Sequence, residues 1–247
     1  MKPVTRLAAF AAVLAFAAFV MAACGSGSPG PAANTQPRPG ETSTPAEPTQ
    51  SSVNELAEGL KSASLPADLA DGTFLGKPDA PLTLTVFEDF LCGHCLRFTA
   101  LVEPMIVEEY VLPGKVRLEF RNWPILGPTS VSAAAAAECA AGQDQFWEYQ
   151  RQLFLAHPQA GGDRDGSGYS PQSLLAYAAA LDLDPDEFLA CFASEETVET
   201  LRGNATAARS AGLTGTPAFL INGEPIGSTP GSLADWRQLL DDRLDGR

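Results

Sequence analysis

Residues 82–105 read LTLTVFEDFLCGHCLRFTALVEPM, and this stretch decides the fold. From Leu82 to Phe87 the pattern alternates with period two, as in a strand. After Glu88-Asp89-Phe90-Leu91, the side chains of Leu96, Phe98, Leu101, Val102 and Met105 recur at helical spacing. The junction is Cys92-Gly93-His94-Cys95, so two thiols three residues apart fall on the first turn of a helix. Orphan backbone N–H groups and the positive end of the helix dipole favour a thiolate there, which makes Cys92 a nucleophile near neutral pH. Cys95 is close enough to resolve a mixed disulfide, and the chemistry this spacing points to is thiol–disulfide exchange.

A Cys-x-x-Cys has two other common uses. A tetrahedral zinc site needs four ligands, and the remaining candidates, Cys139, Cys191 and His157, include no second closely spaced pair. No metal and no other cofactor is therefore expected. A purely structural disulfide would close so short a loop that it gains little chain entropy, and Gly93 with polar His94 suits exposure better than packing.

The chain opens with Lys2 and Arg6, runs through an apolar stretch from Leu7 to Val20 and reaches Met21-Ala22-Ala23-Cys24-Gly25. This reads as a bacterial lipoprotein signal, residues 1–23, with Cys24 lipidated after cleavage. An ordinary secretory signal or an uncleaved membrane helix is the alternative, and each places the remainder outside the cytoplasm. The expected location is the outer face of the cytoplasmic membrane. Beyond Cys24 the chain is rich in Gly, Ser, Pro and Thr, and residues 24–65 are expected to form a flexible tether; a few tens of such residues span about 30 Å. Losing Lys2 and Arg6 from 16 basic side chains leaves 14 against 30 acidic ones, a formal charge of −16. Nucleic acid is an unsuitable partner for such a surface.

With Cys24 acylated and Cys92 and Cys95 paired by function, Cys139 and Cys191 remain. In an oxidising compartment they most simply bond to each other, the alternative being two unpaired buried thiols. Closing that loop would stabilise the fold by about 4 kcal/mol on the chain-entropy model. Both lie in helical context: Ala133 to Ala141 favours helix, and Asp184-Pro185 reads as an N-cap followed by a first-turn proline. Val116–Phe120 and Pro217–Ile221 are strand-like. Between them lie the expected helices 130–141, 144–156, 170–181, 185–192 and 194–211, and after them a turn at Asn222-Gly223 and a last helix near 232–240.

Four separated segments resemble the DsbA-like branch of thioredoxin-fold oxidoreductases. They are Gly76-Lys77-Pro78-Asp79-Ala80-Pro81 before the central strand, Phe87 to Cys95 at the reactive turn, Phe146-Trp147-Glu148-Tyr149 with Leu153-Phe154 in the helical part, and Gly212-Leu213-Thr214-Gly215-Thr216-Pro217-Ala218-Phe219 in the position of a cis-proline loop. The layout is also similar to that of the membrane-attached DsbA-like proteins of mycobacteria. The resemblance implies an α/β thioredoxin fold, a central mixed sheet flanked by helices, with an inserted helical domain. Residues 66–127 and 208–247 would form the thioredoxin-like part and 128–207 the insertion. It also implies Cys92, Cys95 and His94 as catalytic residues and Thr216-Pro217 as a substrate-binding loop with a cis peptide. A monomer acting on exported cysteine-containing proteins and recycled by a membrane quinone-linked thiol oxidase follows from the same likeness.

Two departures stand out. Val86 occupies the place, six residues before Cys92, where many relatives carry a buried acid, and Glu88 is read as solvent-facing, with a substitute proton acceptor for Cys95 as the alternative. The Gly93-His94 dipeptide suggests a moderately oxidising couple. The leading expectation is an oxidase that donates its Cys92–Cys95 disulfide. A reductase or isomerase of the same fold, and a non-catalytic peptide-binding lipoprotein chaperone, are the alternatives.

Overall fold

The computed structural model describes residues 49–63 and 65–247. Cys24 and the expected signal peptide lie outside them, as does most of the expected tether. The element order is α1 (Gln50–Ser62), β1 (Ala70–Asp71), β2 (Phe74–Leu75), β3 (Leu82–Glu88), α2 (Gly93–Leu101), α3 (Glu103–Ile106) and β4 (Val116–Asn122). Then come α4 (Pro128–Ala141), α5 (Phe146–Leu155), α6 (Pro171–Ala180), α7 (Pro185–Phe192), α8 (Glu195–Ser210), β5 (Ala218–Ile221), β6 (Glu224–Pro225) and α9 (Leu233–Leu244).

The sheet runs in the order β1-β2-β4-β3-β5-β6. β3 is parallel to β4, with Leu84 opposite Leu118, and antiparallel to β5, with Val86 opposite Phe219. A parallel neighbour requires a crossover connection, and α2 with α3 supplies it. β3 is central and buried along almost its whole length, which is why its second half, Val86-Phe87-Glu88, departs from strict alternation. This is the thioredoxin-like mixed sheet flanked by helices, with α4–α8 entering between β4 and β5.

Two aromatic groups tie the layers together. Phe98 of α2 packs on Phe219 of β5 and Trp236 of α9, with ring centroids 4.8 and 5.5 Å away. On the other side Phe90 and Phe120 stack at 5.6 Å and continue to Phe154 and Phe146 of α5. The indole N–H of Trp147 donates to the Phe74 carbonyl at 2.9 Å, fixing α5 to β2. Cys139 of α4 is bonded to Cys191 of α7. The Asp184 carboxylate caps α7 by accepting from the N–H groups of Asp186 and Glu187.

Residues 50–62, assigned to the flexible tether, form α1. Thr49 caps it, and Leu56 and Leu60, four apart, are 2 % and 1 % exposed against the core. The segment is poor in apolar residues overall, but Val53, Leu56 and Leu60 share a helical face. Gly59 lets that face approach α2 closely: a Cβ there would collide with the Ala100 carbonyl.

Candidate active site

The turn that presents the two cysteines is built by Asp89. Its carboxylate accepts from the N–H of Leu91 at 2.9 Å, of Ile125 at 2.8 Å and of Leu126 at 2.9 Å, and from the Ser130 hydroxyl at 2.8 Å. The chain leaving β3 is thereby fastened to the loop after β4 and to the start of α4. Cys92 follows as the N-cap of α2 in extended conformation, and Cys95 lies within the first turn.

Both are separate thiols, and their surroundings differ sharply. Cys92 is 8 % exposed and Cys95 is 0 %. The Cys95 thiol, the Thr216 side chain and the backbone N–H groups of Cys95 and His94 all favour charge on the Cys92 sulfur, outweighing its partial burial, and lower its pKa to about 5. In the protonated state the same sulfur donates to the Thr216 carbonyl at 3.3 Å. Burial pushes the Cys95 thiol far up, and the neighbouring Cys92 sulfur and Glu88 carboxylate add to the effect. One turn of helix thus holds one sulfur that ionises easily and one that keeps its proton.

Glu88 does not face solvent. It is 1 % exposed at the end of β3, and burial, followed by repulsion from Glu103, raises its pKa well above the ordinary carboxylate value. The Thr99 hydroxyl donates to its Oε2 at 3.2 Å, while Oε1 has no hydrogen-bond partner among the described residues. Glu103 is 5 % exposed and pushed by burial up to about 7, even though it accepts from the Gln150 amide at 3.3 Å. Cys95, Thr99 and Glu103 stand at successive four-residue steps along α2 and α3, so a polar column descends from the buried sulfur into an otherwise apolar core. Its position shows that β3 does carry a buried acid below the cysteines, two residues later than Val86, which is itself buried.

The structure brings Thr216 and Pro217 against Cys92, and the bond between them is cis. His94 is exposed; with Arg97, Phe98, Thr216, Pro217 and Trp236 it lines a groove of about 650 Å³ that opens beside Cys92. The sequence reading missed Asp89, Thr99 and Glu103. It also missed His157, which closes the site from the insertion. The His157 ring accepts from the Gln159 N–H at Nδ1, 3.1 Å away, which leaves its Nε2–H to donate to the Leu91 carbonyl at 3.3 Å. Burial lowers its pKa, in keeping with the neutral ring that both bonds require. The repeat at 95, 99 and 103 was the available signal for the column; nothing local in the sequence marks His157. Among the described residues no cluster of three or more His, Cys, Asp or Glu side chains could hold a metal ion, and no helix is long and apolar enough to cross a membrane.

Comparison with known proteins agrees with this geometry. A family described as thioredoxin matches residues 69–242. The chain is similar to a probable disulfide bond formation protein D of Bacillus anthracis, 32 % identical over 154 residues, which are 60 % of this chain and 69 % of that protein. It is also 33 % identical over 169 residues to a Na(+)/H(+) antiporter NhaA 3 of Salinispora tropica; the match takes 68 % of this chain but spans only 24 % of the antiporter. In structure it resembles oxidised BdbD of Bacillus subtilis, with a TM-score of 0.62 at 22 % identity, covering 74 % of this chain and 96 % of that one. With the matched family, the curated relative and the cysteine turn in agreement, the chain belongs to the thioredoxin family, as a DsbA-like thiol–disulfide oxidoreductase.

Proposed function

We propose that this oxidoreductase works as a disulfide donor outside the cytoplasm, passing its Cys92–Cys95 bond to exported proteins that carry cysteine pairs. The observation that carries the reading is the inequality of the two thiols, with Cys92 near 5 and Cys95 far above the ordinary thiol. In the oxidised enzyme a substrate thiolate attacks Cys92 Sγ, the S–S bond breaks, and its electron pair leaves on Cys95. That sulfur requires a proton, and Glu88, whose hold on its own proton is strengthened by burial, supplies it. The substrate's second thiolate then attacks the substrate sulfur of the mixed disulfide and expels Cys92 as a stable thiolate. The substrate leaves with a new disulfide; the enzyme has gained two electrons and keeps one proton on Cys95. Extended substrate main chain lies along Thr216 during this exchange, as strand addition favours.

A Cys24 lipid anchor and recycling by a membrane quinone-linked thiol oxidase complete the proposal, the first supported by the signal-like amino terminus and the direction of exchange by the name of the Bacillus anthracis relative. Equilibration of the purified protein with glutathione buffers tests it. A Cys92–Cys95 potential in the range of about −120 to −180 mV is expected, whereas one near −270 mV would place the protein among reductases.

A further inference from the structure

At Gly93 the main chain of the cysteine turn comes into close contact with the helical insertion. A Cβ built on Gly93 would stand 2.8 Å from both Nε2 and Oε1 of Gln159 and 3.0 Å from its Cδ. The Gln159 carboxamide therefore turns its Nε2–Oε1 edge towards residue 93, in the space that a side chain at this position would fill. Gln159 is not free to drift. Its N–H is held by His157 Nδ1, and the same ring is bound to the Leu91 carbonyl next to Cys92. Pro158 and buried Ala160 stiffen the short turn on either side.

The carboxamide itself makes no hydrogen bond to any described residue, and neither of its polar atoms is among those sealed from solvent without a partner. Two N–H donors and one C=O acceptor are thus presented beside Gly93 with their bonding capacity unspent. The groove beside Cys92 is bounded by His94, Thr216 and Pro217, and Gln159 is not part of its wall. It occupies a separate border of the same turn, supplied by the insertion.

We propose that Gln159 is a second substrate-holding residue, whose carboxamide hydrogen-bonds the main-chain amide of an extended polypeptide next to the cysteine joined to Cys92. Thr216 holds the chain from the thioredoxin-like part, and Gln159 holds it from the insertion. The ligand class is the peptide group itself, so the contact serves unfolded or extended protein segments regardless of side-chain sequence. A small dithiol has no peptide group and gains nothing from it. This inference rests on the exchange activity proposed above.

The test compares two reductants of the oxidised protein, a cysteine-pair peptide of about ten residues and dithiothreitol. The readout is the ratio of their second-order rate constants. In Gln159→Ala that ratio should fall about three- to tenfold, the worth of one neutral hydrogen bond. Gln159→Glu, which keeps length and an acceptor but loses both donors, should fall between Ala and the natural residue. The Cys92–Cys95 potential, read by glutathione equilibration, separates substrate holding from distortion of the turn. An unchanged ratio in Gln159→Ala overturns the proposal, as does an equal slowing of both reductants with a shifted potential. If neither reductant reacts with the natural protein, it is the exchange reading that fails.

Discussion

Cys92 and Cys95 stand three residues apart on the first turn of α2 as separate thiols, whereas Cys139 and Cys191, 52 residues apart, are bonded across α4 and α7. Loop length and setting divide their work. Closing a loop of this small size removes almost no freedom from the unfolded chain, so the first bond can be made and broken at little expense to the fold; the long loop of the second makes it a stabiliser. The first pair also sits where backbone N–H groups point at sulfur, and the second lies between helices, with the Thr197 hydroxyl turned to the Cys191 carbonyl at 2.9 Å. The same atoms are thus left as free thiols in one region and joined as a brace in the other.

The contrast breaks most easily at Cys92. Replacing it in Cys92→Ser should lower exchange with substrate thiols by at least about a thousandfold, since no other cysteine among the described residues has a lowered pKa. The melting temperature should move by only a few degrees. Peptide oxidation assays and thermal unfolding measure the two sides; a variant that keeps substantial turnover would sink the nucleophile assignment.

Removing the other pair should do the converse. Cys139→Ala with Cys191→Ala is expected to destabilise the protein by about 4 kcal/mol on the chain-entropy model, less any relief of native strain. The Cys92–Cys95 potential should stay where it was. A displaced potential would show that the two regions are coupled after all.

Glu88→Gln sharpens the inequality between the two reactive thiols. Without a proton to give, expulsion of Cys95 from the oxidised enzyme should slow by about a hundredfold. Alkylation of Cys92 in the reduced variant should be affected far less, because its stabilising donors come from Cys95, Thr216 and the helix end. Quenched-flow measurement of mixed-disulfide formation decides the matter, and an unaltered rate removes Glu88 from the mechanism. In the natural protein the same alkylation, followed against pH, should show a midpoint near 5, where an ordinary thiol shows about 8.5.

The smallest effect belongs to Glu103. Its folded pKa of about 7 lies above the ordinary 4.5, so the folded state binds the proton more tightly than the unfolded state. Its contribution is fully present below about 4.5 and is lost as pH rises through about 7. Glu103→Gln should therefore raise the melting temperature by a few degrees at pH 8 and change it little at pH 4. An equal gain at both values would mean that ionisation of this group is not what the fold resists.

Much of this was legible in the residues because it is local. Period two before Cys92 and helical period after it placed the cysteines on a helix end, and Asp184-Pro185 marked the start of α7 to the residue. Cys139–Cys191 followed from what remained once the other cysteines had roles. What escaped the reading depends on distant partners. Glu88 resembles a surface acid until β3 is known to be flanked by both β4 and β5. Asp89 looks like any turn residue, but three of its four bonds reach residues 125, 126 and 130. His157 and Gln159 have no sequence neighbour that announces the cysteines, since the insertion folds back from more than sixty residues away. Helix α1 was hidden for another reason: Leu56 and Leu60 are two apolar residues in polar surroundings, and their burial is decided by the bare backbone of Gly59 opposite Ala100.

Asp89 also sets how the molecule breathes. Because one carboxylate receives Leu91, Ile125, Leu126 and Ser130 together, none of these groups can let go without weakening the hold on the rest. The turn that carries the cysteines and the start of the helical insertion should consequently open together, with the amide hydrogens of Leu91, Ile125 and Leu126 exchanging with water at matched rates.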